Sequence, residues 1–403
     1  MEFSNAFRVF KSRNYSLFFS GQLISRIGMW MQRTAILWVV FTMTDSVLMV
    51  GLATFVEQFP SFILSPAGGI VADRYNRYRV LMVTQFISAI QAVLLAIVYS
   101  MGYGSIWVLL ILGLMLGIAN AFDVPARQAM VNDLVGTQDL PSAIAMNSSL
   151  NNLTRLIGPA LAGIVIAKWG AGICFGSNAV SFIAVIICLS LLRLPKKQQS
   201  GKKTNVWIEL RNGWQYTTNQ PEIKNILLLA IFVSLLVTTY NTLQPYFAQN
   251  VFEGDASAYG YITSITGLGA LVSTLFIASQ KNSGSLKRVL FFNLLILGTG
   301  LIIMSRVRIF SLYLVMCFIC GYGVMSVMPI CNTIVQTVSS GKMRGRVMGF
   351  FAMATLGTLP LGSVFIGWVT KFISVEMCQA IQGSICLIIA VVFYKFLHRD
   401  ILL

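Results

Sequence analysis

From Tyr15 to Leu397 the chain is a succession of apolar runs, nearly all longer than twenty residues, separated by short stretches rich in lysine and arginine. A helix of about 20 apolar residues crosses the ~30 Å hydrocarbon layer, and in lipid every backbone polar group of the span must find its partner internally. Such runs are therefore membrane helices. We place twelve, at about 15–42, 47–71, 78–100, 103–123, 142–167, 172–193, 224–250, 257–279, 287–305, 310–336, 346–371 and 375–397. With 56% apolar and 10% charged residues, a soluble fold of this length is excluded.

The net charge of +16 suggests a nucleic-acid ligand only until the bases are located. Twenty-two of the 29 fall in the N-terminus, the even-numbered loops and the C-terminus; four, Lys168, Arg306, Arg308 and Lys371, lie on the other side. That asymmetry places both termini in the cytoplasm and leaves no reason to expect a nucleic-acid partner. The first run is too long for a cleaved signal and lacks a small-residue cleavage pattern, so it is expected to remain as a signal-anchor helix. Phe3, Phe7 and Phe10 before it are expected to lay a short amphipathic segment on the membrane surface.

The longest polar stretch, Leu194 to Lys224, falls in the middle. The expected organisation is a cytoplasmic N-terminus (1–14), a six-helix bundle (15–193), a cytoplasmic linker (194–223), a second six-helix bundle (224–397) and a tail (398–403). Residues 204 apart repeat across the linker: Gly117 with Gly321, Pro125 with Pro329, Val131 with Val335, Gly158 with Gly362 and Gly163 with Gly367. The expected fold is thus all-α, twelve transmembrane helices in two parallel repeats.

The tightest polar turn is Gly68-Gly69-Ile70-Val71-Ala72-Asp73-Arg74-Tyr75-Asn76-Arg77-Tyr78-Arg79, held between two spans. Glycines permit close helix approach, Asp73 is suited to pairing with a guanidinium or capping a helix, and Asn76 tolerates a left-handed backbone. The segment resembles the loop signature between the second and third helices of the major facilitator superfamily, matching at Gly69, Asp73, Arg74, Arg77 and Arg79. Asn76 stands where that signature usually has glycine, and Tyr78 interrupts the basic pair. The resemblance implies a cytoplasmic latch that stabilises one gating state; a plain topogenic loop is the alternative. The parallel repeats fit the superfamily's architecture, which implies a substrate site near the bilayer midplane between the halves.

Further pieces, Phe10-Lys11-Ser12-Arg13-Asn14-Tyr15, Gly21-Gln22-Leu23-Ile24-Ser25, Ala121-Phe122-Asp123-Val124-Pro125-Ala126-Arg127-Gln128 and Arg155-Leu156-Ile157-Gly158-Pro159-Ala160-Leu161-Ala162-Gly163, resemble the transmembrane-secretion-effector branch that includes bacterial enterobactin exporters. In the second half the likeness is carried mainly by Arg344-Gly345-Arg346-Val347-Met348-Gly349. The branch implies a bacterial inner-membrane exporter, usually a monomer. Gly158, Pro159 and Gly163 resemble the glycine-proline motif of the superfamily's antiporters; a packing kink is the plain alternative.

An ionisable residue at helix centre costs roughly 2.5–3.5 kcal/mol on insertion scales, so each one is a candidate for function. Arg26, Glu57 and Arg155 fall near the middle of the first, second and fifth spans, with Arg33 one heptad beyond Arg26 on the same face. Gln22, Arg26, Met29 and Arg33 form one stripe, Thr54, Glu57 and Ser61 a second, and Asn147, Ser148, Asn151, Asn152 and Arg155 a third. Three polar stripes suggest the walls of a wet cavity, against a structural Arg–Glu–Arg network as the alternative. Arginine exceeds acid there, and planar guanidinium groups suit carboxylate-like anions, so the expected substrate is anionic. Glu57 is the expected proton carrier: an anion that draws a neighbouring arginine away leaves its carboxyl ready to take up a proton.

Asp123, Arg127 and Asp133 after the fourth span are expected in cytoplasmic loop pairing, with a proton relay through Asp123 as the alternative. In the second half Ser234, Thr238, Asn241 and Pro245 form a seventh-helix stripe from which Asn241 is the expected ligand contact. Asn332 and Gln336 polarise the tenth helix. Tyr240, Tyr246 and Trp368 offer aromatic surface, and Gln280 to Arg288 stands where a second latch would be, without its Asp-Arg pair. The seven cysteines are scattered through apolar runs, so no metal or redox role is expected of Cys317-x-x-Cys320. His398 is the one histidine and there is no Walker motif, so neither an enzyme nor a nucleotide-driven pump is expected, and no cofactor. The expected function is proton-coupled export of a siderophore or similar anion by alternating access, with multidrug efflux as the alternative.

Overall fold

A computed structural model describes residues 7–135, 139–192, 214–279, 283–341 and 343–394. Its secondary structure among these residues is helical. Twelve long helices follow in order: α1 Arg13–Thr44, α2 Val47–Arg74, α3 Arg77–Ser100, α4 Ile106–Leu134, α5 Leu140–Trp169, α6 Ala171–Ser190, α7 Pro221–Val251, α8 Ala256–Ser279, α9 Ser283–Met304, α10 Phe310–Val338, α11 Arg344–Val369 and α12 Val375–Val392. Eleven of them are long and apolar enough to cross a membrane. The remaining one, α1, is 32 residues long and carries Arg26, Gln32 and Arg33 within its span.

The described residues divide into two compact units. The first comprises those of Met1–Thr44, Val56–Lys202 and Asp255–Gly260, the second those of Asp45–Phe55, Lys203–Gly254 and Tyr261–Leu403. Most of the proposed linker lies outside the described residues. Each unit takes in the first turns of one helix from the other half of the sequence, and a repeated glycine explains each case. In the first unit a Cβ on Gly163 would lie 2.8 Å from the Cα of Gly260; in the second, a Cβ on Gly367 would lie 2.6 Å from the Cα of Leu48. Only glycine lets backbones approach so closely.

In the first unit α1 packs on α5 and α6, and α3 on α4 and α6. Tyr15, Phe18, Leu81, Ala126, Met130, Val185 and Leu189 form its principal core. A buried amide ladder crosses the middle: Asn178 Nδ2 donates to Gln32 Oε1 at 2.8 Å, and Gln32 Nε2 to Gln91 Oε1 at 3.2 Å. It ties α6 to α1 and α1 to α3, because an amide left alone in hydrocarbon must find a partner.

The segment before α1 is short and docked. Phe7–Lys11 is a single 3₁₀ turn whose Val9 is fully buried, while Phe10 packs edge-on against Phe19 and Arg8 pairs with Asp139 at 3.1 Å. The segment docks on its own bundle because its apolar side finds Tyr15 and the ends of α4 and α5. Phe3 lies outside the described residues.

The second unit packs α9 against α10 and α12 around Leu290, Leu294, Leu297 and Leu301. All cysteines are free thiols, and six of the seven are buried. Helix α7 is irregular: a π turn at Val233–Val237, a 3₁₀ segment at Thr238–Leu243 and a second π turn at Phe247–Val251. Side chains add to the bonding of its carbonyls: Thr238 Oγ1 donates to Val233 O, which also accepts the Thr238 N–H of the π turn, and Gln382 Nε2 donates to Leu236 O. The expected polar stripe of α7 is therefore spent largely on its own backbone. Ser234 donates to Thr355 O and Asn241 Nδ2 to Thr238 O.

Candidate substrate cavity

The turn between α2 and α3 is shorter than the motif that contains it. Gly68, Gly69, Asp73 and Arg74 are still helical, leaving Tyr75 and Asn76 to reverse the chain. Asn76, and not Asp73, caps α3; its φ of −65° is extended and not left-handed, and its Oδ1 accepts from Tyr78 N and Arg79 N. A Cβ on Gly68 would fall 2.1 Å from Ala121 O, so this glycine sets the α2–α4 approach, whereas Gly69 has nothing within 4 Å. Arg77 is the pivot: it donates to Asp133 at 2.7 Å and reaches Asp73 at 3.9 Å. Arg74 and Arg79 are exposed.

Within the first unit, α1 places Arg26, Met29, Trp30, Arg33 and Ile36 at three- and four-residue steps along one face. They line a cavity of about 200 Å³ together with Gln32, Glu57 of α2, Leu116, Asn120 and Arg127 of α4, and Asn151 of α5. Three guanidinium groups and one carboxylate thus meet in one space. Arg26 is 7% exposed; its Nη2 donates to Asn147 Oδ1 at 3.2 Å, while its buried Nε has no hydrogen-bond partner among the described residues. Arg33 reaches Glu57 at only 4.0 Å, a long and yielding pair.

Asp123 and Arg127 differ from their expected place. Both sit inside α4, which continues as helix to Leu134, and Asp123 is 3% exposed. It accepts from Thr84 Oγ1 and Gln85 Nε2 and pairs with Arg127 at 3.3 Å; Arg127 also donates to Gln22 Oε1. Asp133 alone takes the loop-pairing role, with Arg77. A second buried acid therefore stands behind the cavity wall, offset by Arg127.

Sequence reasoning missed Trp30. Its ring centroid lies 5.5 Å from the Arg33 guanidinium carbon and 5.7 Å from that of Arg155. Arg155 meets this ring without lining the cavity. The signal was present, since Trp30 stands four residues after Arg26 and three before Arg33. Of the second stripe only Glu57 lines the cavity: Thr54 Oγ1 donates to Val50 O and Ser61 Oγ to Gly117 O. Gly158 packs against Trp30, Gly163 against Gly260, and Pro159 is buried within α5. Asn241 belongs to the second unit and is not among the cavity's lining residues. Tyr240 is buried and Tyr246 meets Glu376, whereas Trp368 packs on Phe372 at the surface with both rings exposed. Lys287, from the second latch position, is buried against Glu222 at 2.7 Å.

Twelve long helices among the described residues, four of them in the first unit lining a charged cavity, have the architecture of a multi-pass membrane transporter of the major facilitator fold. Solved structures agree in fold: a bacterial homologue of the human lysosomal transporter Spinster has a TM-score of 0.73 at 15% identity, covering 96% of this chain and 97% of that one. A D-xylose–proton symporter has a TM-score of 0.71 at 14% identity, covering 96% and 98%. The transmembrane secretion effector model of the major facilitator superfamily matches residues 4–400, and the chain belongs to that family. Similar proteins include the staphyloferrin A transporter of Staphylococcus aureus, 27% identical over 95% of this chain and 96% of that one. The macrolide efflux protein A of Streptococcus pyogenes is 22% identical over 95% and 96%, and the enterobactin exporter of Salmonella typhimurium 24% over 91% and 87%.

Proposed function

We propose that the protein is a secondary transporter of the bacterial inner membrane, both termini cytoplasmic, that exports a siderophore or similar anionic small molecule by alternating access in exchange for protons. The observation that carries this reading is the cavity lining of Arg26, Arg33 and Arg127 against the single acid Glu57. The unpartnered Nε of Arg26 is a buried donor for which a carboxylate is the natural acceptor. Relatives that handle staphyloferrin A and enterobactin support the substrate class.

Coupling follows from the Arg33–Glu57 pair. An incoming anion competes with Glu57 for Arg33, and at 4.0 Å little is lost when Arg33 turns to the ligand. Glu57 is the carboxyl at which the proton of the cycle binds and leaves, and re-formation of the pair displaces the anion. Asn151 and Arg155 extend the binding surface along α5. In this cycle Gly69, Asp73, Arg74, Arg77 and Arg79 form the cytoplasmic latch, and Gly158, Pro159 and Gly163 an antiporter-like close-packed segment of α5. The unit of function is taken as a monomer in the bilayer, without a cofactor.

A macrolide efflux relative spanning the same length favours multidrug efflux as the second reading. Competition on the purified protein separates the two: a carboxylate siderophore binding in preference to a lipophilic cation supports the first, and the reverse order supports the second. A Glu57→Gln protein that still moves protons with substrate would remove Glu57 from the coupling step.

A further inference from the structure

Helix α4 works on two faces. Leu116, Asn120 and Arg127 line the charged cavity, whereas Ile111, Leu114, Ile118 and Phe122, at three- and four-residue steps, fall on the opposite side of the helix. With Val83 and Ile87 of α3 they wall a groove of about 640 Å³ within the first unit. Small buried side chains, Thr84 and Ala119, make its floor, which is why two packed helices leave room between them. Thr84 adds little polarity, because its hydroxyl donates to Asp123. Val83, Ile111, Leu114 and Ile118 are exposed, a contiguous apolar surface suited to hydrocarbon.

Only one end of the groove is polar. Tyr75, Asn76 and Arg79 close it at the α2–α3 turn. Arg77 of the same motif is engaged by Asp133, but Arg79 is exposed and its guanidinium has no ion pair among the described residues. Asn76 caps α3 through Oδ1, which leaves its Nδ2 as a second donor. From Phe122 to Ile111 the α4 wall extends about 16 Å at 1.5 Å per residue, one leaflet's share of the ~30 Å hydrocarbon layer. The groove therefore starts where headgroups lie, with a tyrosine at its mouth, and ends near the bilayer centre.

We infer that this groove is a binding site for one anionic glycerophospholipid of the leaflet on the side of the α2–α3 turn, with an acyl chain along α3 and α4 and the phosphate at Arg79. A free phosphate would meet the guanidinium and leave the apolar length unused. A zwitterionic lipid would fill the groove and bring its ammonium toward Arg79. The bound lipid braces α3 against α4 beside the Arg77–Asp133 pair, whatever the transported substrate is.

The test is native mass spectrometry of the full-length protein in detergent, titrated with dioleoyl phosphatidylglycerol and, separately, with dioleoyl phosphatidylcholine. Wild type is expected to retain one phosphatidylglycerol about fivefold more tightly than phosphatidylcholine. Arg79→Gln lowers phosphatidylglycerol affinity about fivefold and leaves phosphatidylcholine unchanged. Arg74→Gln, which removes an exposed base of the same motif outside the groove, leaves both unchanged. Ile118→Trp fills the groove and weakens both lipids; Val83→Trp takes its place if that protein fails to fold. Wild type without a preference between the two lipids overturns the site. So does an equal loss in Arg74→Gln and Arg79→Gln, which marks diffuse attraction to a basic surface, and so does retention that neither tryptophan variant reduces. Inorganic phosphate that displaces the lipid at equal concentration reveals an anion site with no use for the groove, and overturns it as well.

Discussion

Gly158 of α5 and Trp30 of α1 meet so closely that a Cβ on the glycine would lie 2.3 Å from the Cβ of the tryptophan. Both atoms are fixed to their backbones, so neither can rotate away. The glycine-proline segment thereby has a local physical purpose, the seating of an aromatic wall of the cavity. Gly158→Ala should force α1 and α5 apart and destabilise the protein by about 1–3 kcal/mol. A thermal melt of purified protein checks this, and a melting temperature equal to wild type would show that the helices yield without strain.

The Arg77–Asp133 pair is the firm contact of the α2–α3 turn, at 2.7 Å, while Asp73 reaches Arg77 only at 3.9 Å. Both Arg77 and Asp133 are partly shielded from solvent, so the pair should exceed the ~0–1 kcal/mol of a surface bridge. Asp133→Ala is expected to reduce transport more than Asp73→Ala. The exchanged double variant Arg77→Asp with Asp133→Arg should recover part of the loss. A vesicle uptake assay in which Asp73→Ala is the more damaging would move the latch to the other acid.

The amide ladder offers a separate test of packing. Asn178→Leu removes the donor to Gln32 Oε1, leaving a buried acceptor between α1 and α6. Interhelical hydrogen bonds in membranes average about 0.6 kcal/mol, with about 1.7 at the upper end, and an orphaned acceptor belongs near that upper end. Asn178→Leu should therefore cost more than the combined change Asn178→Leu, Gln32→Leu and Gln91→Leu, which removes the whole ladder and leaves no orphaned amide. Unfolding in mixed micelles decides it, and strictly additive losses would contradict a coupled ladder.

At the start of α8, Asp255 accepts from Ser257 N and Ala258 N, the two amides an N-cap satisfies. The Ser257 hydroxyl, followed by those amides, holds its carboxyl below the usual carboxylate range. A depressed folded-state value means stability present above the unfolded value near 3.9 and lost as pH falls through the lower folded one. Asp255→Ala should cost about 1 kcal/mol at neutral pH. The difference from wild type should vanish in strong acid, and hydrogen exchange of the first α8 turn measures it. Equal protection in both proteins at pH 7 would deny the cap.

Much of this architecture was legible before any coordinates, for one reason. Charges are so costly in hydrocarbon that Arg26, Arg33 and Glu57 stand out from an apolar run by their presence alone. Helices that outrun the bilayer were harder to read. Asp123 and Arg127 were assigned to a loop because the apolar run ends near them, yet α4 remains helical to Leu134 and buries Asp123 among Thr84, Gln85 and Arg127. Trp30 was hidden by composition, one aromatic among many in membrane helices. Asn241 and its neighbours read as a polar face on a regular helix; along the irregular turns of α7, Thr238 and Asn241 donate instead to carbonyls of their own helix.

Outward movement of an anion through a cavity built on Arg26, Arg33 and Glu57 makes secretion depend on those side chains. The most direct test grows iron-starved cells with and without the gene and compares siderophore in the medium with siderophore retained inside, repeating the comparison with Arg26→Leu restored in place of wild type. The account predicts that deletion traps a siderophore in the cell, that wild type releases it and that Arg26→Leu does not, despite normal abundance in the membrane. Unchanged secretion on deletion in cells with no second exporter, or full release by Arg26→Leu, would contradict it.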